Sequence, residues 1–364
     1  MKRKTITFMI ALIISMLILP ALNIKYNPDT FSQDKVRDKL NSLYNMDIIE
    51  AGVGYIGYKL GVSIAPEEAY VGKNGWLFLG EHHSHSITTK LSGLTSPKIK
   101  AITNIAKNIN SWDKFFKEHG VKDFKIIIGP DKESIYKEFT PSWLKQSDYP
   151  ILPALIRSNE KVYVDVYAPL TNKKTSSKLS LYFETDTHWN LYGGAVVFNA
   201  LAKTLKSSIP GIKLDNEFTE SDFFIKQKAG GDLSRFLKIS NILQDQEVDI
   251  GRRELNDMPV TSFDYRTGKI LSAGKFSLIE APQKLTVYKS IKALNNYRVL
   301  WLRDSFGTAM SPYMVRTFGN ILQVHYNKIT PQEIKKLTLD YKPDLVFITS
   351  VERDSLSPFF STPM

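Results

Sequence analysis

Apolar residues lie along this chain in three arrangements: one long unbroken run, several short unbroken runs, and stretches where they recur every three or four positions. The long run, residues 6–24, holds about 19 positions without a charge, close to the length that crosses a bilayer. The short runs predict buried strands, each leaving into a loop. They are FKIIIGPDK (124–132), KVYVDVY (161–167), YRVLWLRDSFG (297–307), NILQVHYN (320–327) and DLVFITSVERD (344–354). Periodic stretches predict helices. Ile99, Ile102, Ile105, Ile109, Trp112 and Phe116 mark one buried face, with Ser96 able to cap, Pro97 at the first helical position and Gly120 at the end. A second helix is expected over 191–205. A third follows Thr330, whose capping box is completed by Glu333, with Pro331 at its first position. YVGKNGWLFLG (70–80) reads as a hairpin around Lys73-Asn74-Gly75.

Buried strands alternating with amphipathic helices indicate an α/β fold, a parallel sheet covered by helices on both faces. Residues 225–290 break that rhythm with shorter alternating pieces and read as a small antiparallel insertion. The expected organisation is a membrane anchor or signal segment at 1–26, a juxtamembrane linker with helical pieces at 27–69, and one large domain at 70–364.

Composition sharpens this picture in two places. Hydrophobic residues make up 43%, enough for a core, and the absence of cysteine excludes disulfides, thiolate metal sites and a cysteine nucleophile together. Lys2, Arg3 and Lys4 precede the long apolar run, an arrangement that keeps the N-terminus in the cytoplasm and places the rest outside. A cleaved signal peptide is the rival reading; the length of the run and the lack of a small-x-small cleavage site favour an uncleaved anchor. The net charge of +11 is scattered, without a long basic block. It suits anionic envelope polymers or lipid headgroups, and no nucleic-acid motif is present.

In an open α/β sheet, ligands bind at the carboxyl ends of the strands. Ser305 follows one such end, where a strand turns into a helix and a backbone N–H could hold an oxyanion. A serine hydroxyl needs a base, usually histidine, and a carboxylate to fix the imidazole tautomer. The stretch SLYFETDTHWNLYGGAVVF (180–198) offers both: Asp186 and His188 lie two apart, which in extended backbone puts their side chains on one side. The competing reading is structural: Asp186 capping a helix, Trp189 in the core, and Ser305 a plain N-cap.

DTHWNLYGG, VLWLRDSFGTAMSPYM, GWLFLG, GPDKESIYKE and VERD together resemble the SGNH-hydrolase-like polysaccharide O-acetyltransferases of the alginate AlgX/AlgJ and DHHW group. The resemblance runs from about residue 70 to the end. It implies an SGNH-like fold with permuted order, the Asp/His block preceding the serine block. It also implies Ser305 as nucleophile, His188 as general base and Asp186 as its orienting acid. Arg303-Asp304-Ser305 departs from the Gly-Asp-Ser of ordinary SGNH enzymes, where glycine allows close backbone approach. The first oxyanion donor is then the Ser305 N–H, and Tyr326 and Arg353 are candidates for the second. The resemblance further implies transfer of acetyl through an acetyl-serine onto a cell-envelope or secreted polysaccharide, with a membrane-bound acyltransferase supplying acetyl groups and no metal or cofactor required. A carbohydrate esterase and a non-catalytic glycan-binding protein are the alternatives.

Other polar clusters are weighed at the same level. His82, His83 and His85 with Glu81 could ligate a transition metal but lack the i, i+4 spacing of a zinc protease, and read better as a polar rim above the site. His119 suits the negative end of a helix. Trp76 and Phe78 read as core, Trp189 and Arg303 as neighbours of the site, and Lys132 and Tyr136 as a substrate contact or a solvated loop.

Overall fold

In the three central strands successive side chains face opposite layers, and both layers are dry. Val299 and Trp301, Leu345 and Phe347, and Ile127 join one core cluster; Leu300 and Leu302, Val346 and Ile348, and Ile126 and Ile128 join the other. Strands buried on both faces carry unbroken apolar runs rather than alternation, which is why these segments stood out in the sequence. The computed structural model describes residues 2–26 and 35–363; positions 27–34 of the expected linker, Met1 and Met364 lie outside the described residues.

The strands in chain order are β1 (Ala69–Val71), β2 (Leu77–Leu79), β3 (Asp123–Gly129), β4 (Tyr163–Val164), β5 (Phe223–Ala229), β6 (Gln244–Ile250), β7 (Pro259–Asp264), β8 (Ile270–Lys275), β9 (Thr286–Ser290), β10 (Asn295–Arg303), β11 (Phe318–Val324) and β12 (Leu345–Val351). β1 and β2 pair as an antiparallel hairpin around Lys73–Gly75, with Asn74 at φ 55°. The main sheet has eight strands in the order β4-β3-β12-β10-β11-β9-β7-β8. β4 through β11 are parallel, and the inserted strands β9, β7 and β8 continue the same sheet antiparallel. The sheet is therefore mixed. The reason is local: only residues 291–294 lead from β9 to β10, on the other side of β11, too few to return to the starting end of the sheet. So β9 must run opposite to β10 and to its neighbour β11. β5 and β6 form a separate hairpin.

One layer is built on the helix Leu191–Ser208, the other on Ser96–Glu118, Ile151–Ser158 and Pro331–Tyr341. The Ser96–Glu118 helix buries Ile102, Ile105, Ile109, Trp112 and Phe116, while Ile99 is half exposed at its first turn. Thr330 and Glu333 form the expected capping box. Gly194 lets the Leu191–Ser208 helix lie directly on the turn after β10, because a Cβ there would collide with the Ala309 carbonyl. Before the domain, the helix Asp47–Lys59 packs Tyr55 and Tyr58 on a small cluster around Ala69 and Leu237, and Tyr58 Oη donates to the Gly75 carbonyl at 3.1 Å. The N-terminal helix, Lys2–Tyr26, holds an 18-residue window of mean hydropathy 2.5 and is long and apolar enough to cross a membrane.

Candidate active site

Ser305 follows the end of β10 and opens a 3-10 turn, Ser305–Met310. The cap of that turn is Asp304, not Ser305. Asp304 Oδ1 accepts the Phe306 N–H at 2.9 Å and Oδ2 accepts the Val351 N–H at 2.7 Å, so one carboxylate ties the ends of β10 and β12 together. Burial raises the Asp304 pKa to about 6, even though both hydrogen bonds favour the ionised form. The Ser305 hydroxyl is left for other partners, and its backbone N–H has no acceptor among the described residues.

His188 Nε2 lies 2.8 Å from Ser305 Oγ, and its Nδ1 lies 2.7 Å from Asp186 Oδ1. Asp186 and His188 meet through a tight loop rather than extended backbone. Tyr182 and Trp189 form an isolated bridge, and Asp186 Oδ1 also accepts the His188 N–H at 3.1 Å, a turn closed by its own side chain. Residue 190, not 186, caps the following helix, with Asn190 accepting the N–H groups of Tyr192 and Gly193. Burial acts to lower the His188 pKa, but the hydrogen bond and charge of Asp186, reinforced by Asp232, outweigh it and raise the pKa. For Asp186, burial acts upward, yet the His188 contacts hold the carboxyl well below the usual range.

Two residues that sequence reasoning missed hold this loop. Asp232 accepts the Thr187 N–H at 2.7 Å and the Thr187 hydroxyl at 2.9 Å, donates its own N–H to Asp186 Oδ2 at 3.1 Å, and places Oδ2 3.8 Å from His188 Nδ1. Gly231 beside it has no room for a Cβ, which would strike Asp186. Asp245 accepts the Thr185 N–H at 2.8 Å and its hydroxyl at 2.5 Å. Both come from residues 225–290. The signal available was Gly230-Gly231 before an aspartate, a mark of close backbone approach. Among the described residues, Asp186, His188 and Asp232 are also the one set of three His/Asp/Glu ligand atoms within 4.8 Å of one another; in this structure those atoms serve the hydrogen bonds just given.

The remaining sequence candidates fall in different places. Trp189 is buried in the floor, donating Nε1–H to the Phe306 carbonyl at 2.8 Å and meeting the Phe306 ring edge-on at 4.9 Å. Lys132 is neither a substrate contact nor a solvated loop residue. It is buried, and Nζ donates to the carbonyls of Phe183, Glu184 and Asp186 at 3.0, 2.9 and 2.8 Å, so it pins the loop that carries the acid. Burial brings its pKa down to about 8. Tyr326 is also buried; its hydroxyl points to Asp354 at 3.3 Å and its ring packs on Phe359 and Phe360. Arg353 sits 5.9 Å from the Phe306 ring centroid and its guanidinium donates to Asp131 at 2.6 Å; its charge is felt at both His188 and Asp304. Arg303 is wholly buried and turned away from the hydroxyl, into the carbonyls of Ile279, Glu280 and Asp304. A guanidinium in a dry interior must find such acceptors. None of Lys132, Arg303, Tyr326 and Arg353 lines the 380 Å³ pocket beside Ser305, whose walls include Phe183, Asp232, Arg235, Leu278 and Glu280.

The histidine cluster finds carboxylate partners, and none of its members lines the pocket at Ser305. Glu68 bridges His82 Nδ1 and His83 Nε2, each at 2.9 Å, and Ser84 donates to Asp354 at 2.7 Å. Tyr136 is buried and accepts the Leu181 N–H at 2.9 Å. Trp76 and Phe78 are core, and the Lys132 ammonium lies 5.5 and 5.2 Å from their ring centroids. His119 takes its expected place as the cap of the Ser96–Glu118 helix, with Nδ1 2.7 Å from the Phe115 carbonyl.

A mixed sheet between two helical layers, with a hydroxyl–imidazole–carboxylate row at the carboxyl ends of its strands, is an SGNH-hydrolase-like arrangement. Residues 69–263 match the family described as SGNH hydrolase-like domain, acetyltransferase AlgX, and the chain belongs to that family. Among solved structures, PatB1 of Bacillus cereus is similar at 16% identity and TM-score 0.56, over 81% of this chain and 99% of that one. A DHHW family protein from Eubacterium siraeum is similar at 14% identity and TM-score 0.56, over 81% and 93%. At these identities the likeness is one of fold. No curated protein sequence matches this chain.

Proposed function

We propose that the chain is a membrane-anchored, extracytoplasmic O-acetyltransferase that moves acetyl through Ser305 onto hydroxyls of a cell-envelope or secreted polysaccharide. The observation that carries this reading is the continuous row Ser305 Oγ–His188–Asp186, at 2.8 and 2.7 Å, opening into a pocket of a chain from an acetyltransferase family. His188 Nε2 takes the Ser305 proton as Oγ attacks the donor carbonyl. The tetrahedral oxyanion is met by the Ser305 N–H. His188 then returns the proton to the departing donor group, leaving acetyl-Ser305. A sugar hydroxyl gives its proton to Nε2, attacks the acetyl carbonyl, and Ser305 regains its proton. Asp186 keeps Nδ1–H facing itself, so that Nε2 is the basic nitrogen, and it stabilises the imidazolium formed in each half.

Acetyl groups would reach the site from a membrane-bound acyltransferase, and the Lys2–Tyr26 helix would hold the domain at that source. The test incubates the protein with 4-nitrophenyl acetate, with and without glycan. Donor consumption accelerated by glycan, with acetyl appearing on sugar, is expected. Acetyl lost from an acetylated glycan instead would make the chain an esterase, and polymer acetylation in cells that survives Ser305→Ala would make it a non-catalytic partner.

A further inference from the structure

Two features stand outside the chemistry above: the strands β7–β9 added to the sheet, and the arginine that replaces the glycine of Gly-Asp-Ser. They meet. Arg303 donates to the Ile279 and Glu280 carbonyls at 2.7 and 2.9 Å and to Gln323 Oε1 at 2.7 Å. Segment 276–282 is tied at three more points: the Phe276 N–H to the Met258 carbonyl at 2.7 Å, the Ile279 N–H to Ser311 Oγ at 3.4 Å, and the Pro282 carbonyl to the His325 N–H at 2.7 Å. The segment thus crosses one face of β7–β9 as a fixed arch, with a buried cation as its central anchor.

Between arch and sheet runs a cleft of about 590 Å³, within the range of ligand sites. Its sheet wall carries Ser262, Ser272 and Tyr288. Ser262 pairs directly with both other residues across the strands, so all three face one side. Its arch wall includes Ser277, Leu278 and Glu280. Leu278 and Glu280 also line the 380 Å³ pocket at Ser305, so the two spaces adjoin across these two residues. Every residue of β8 is exposed, which leaves the far end open.

We propose that this cleft is an acceptor groove, holding the sugars next to the one whose hydroxyl reaches Ser305. The proposal rests on the transferase reading. The Ser262 and Ser272 hydroxyls bond each other at 2.6 Å, and a hydroxyl so paired keeps further capacity to give or take a hydrogen bond with a ring hydroxyl, while Tyr288 and Leu278 supply apolar surface for the C–H faces of sugar rings. An open far end suits a polymer modified along its length, where a closed pocket would admit only a terminus.

Ser272→Trp would fill the cleft from an exposed strand, and Ser277→Trp would fill it from the arch. The probes are neutral, N-acetylated and uronate oligosaccharide ladders as acceptors, with 4-nitrophenyl acetate as donor; donor turnover without acceptor reports folding and the chemistry at Ser305. In the natural protein, kcat/KM for transfer should rise with acceptor length. Both variants should cancel that rise and lower transfer to the longer oligomers about tenfold relative to donor turnover. Variants that transfer to long oligomers as the natural protein does, or a natural protein with no length dependence, would overturn the groove and leave the transferase reading standing. Donor turnover with transfer to none of the three ladders would overturn the transferase reading, and the groove with it.

Discussion

At the residue scale the account turns on one imidazole. Its pKa lies above the ordinary 6.5, because the Asp186 contacts outweigh burial. A general base must be unprotonated, so acylation should fall as pH drops through a midpoint above 6.5. Asp186→Asn should cost roughly 10⁴ in kcat by allowing the wrong tautomer. Asp232→Asn should act differently. It removes a second negative charge 3.8 Å from Nδ1 but leaves Asp186 in place, so the acid limb of the pH–rate profile should move down, with a smaller loss at neutral pH. A profile that does not move would mean that Asp232 only clasps Thr187. Ser305, His188 and Asp186 were legible in the sequence because each carries a local sign, a strand end or a two-residue spacing. Lys132 and Arg303 were not. A cation in a sequence reads as solvent-facing or substrate-facing, and only the fold shows that each is buried under main-chain carbonyls.

At the scale of elements, the five parallel strands were visible because burial on both faces makes them continuous apolar runs. Their partners in the insertion were harder to place. β7 and β8 carry no unbroken apolar run, and β8 is exposed along its whole length, so their sequence does not show which sheet they join. The loop holding Asp186 and His188 was legible as a motif but not as a shape, since its form is set by Lys132, Asp232 and Asp245 from distant segments. Two substitutions probe these junctions. Asp304→Ala leaves the buried N–H groups of Phe306 and Val351 without acceptors, and should cost roughly 1–3 kcal/mol for each in chemical denaturation. Gly194→Ala should push the Leu191–Ser208 helix off the turn that follows Ser305 and cost roughly 1–3 kcal/mol as overpacking. Unchanged denaturation midpoints would contradict both packing arguments.

At the scale of the whole molecule, the described residues comprise an apolar helix, a docked helical piece and the α/β fold that carries the candidate site. A version beginning at residue 35 should leave the membrane fraction and keep donor turnover, whereas the full chain should stay with membranes. Beginning instead at residue 69 removes Tyr55 and Tyr58 from their cluster, and should cost roughly 2 kcal/mol or more of stability. The central claim is that residues 117 positions apart, His188 and Ser305, act as one acyl-transfer unit. Its most direct test is mass spectrometry of the protein quenched during donor turnover. The account predicts one acetyl group on the peptide containing Ser305, absent from both Ser305→Ala and His188→Ala. Acetyl on another residue, or an adduct that persists in His188→Ala at the natural rate, would contradict it.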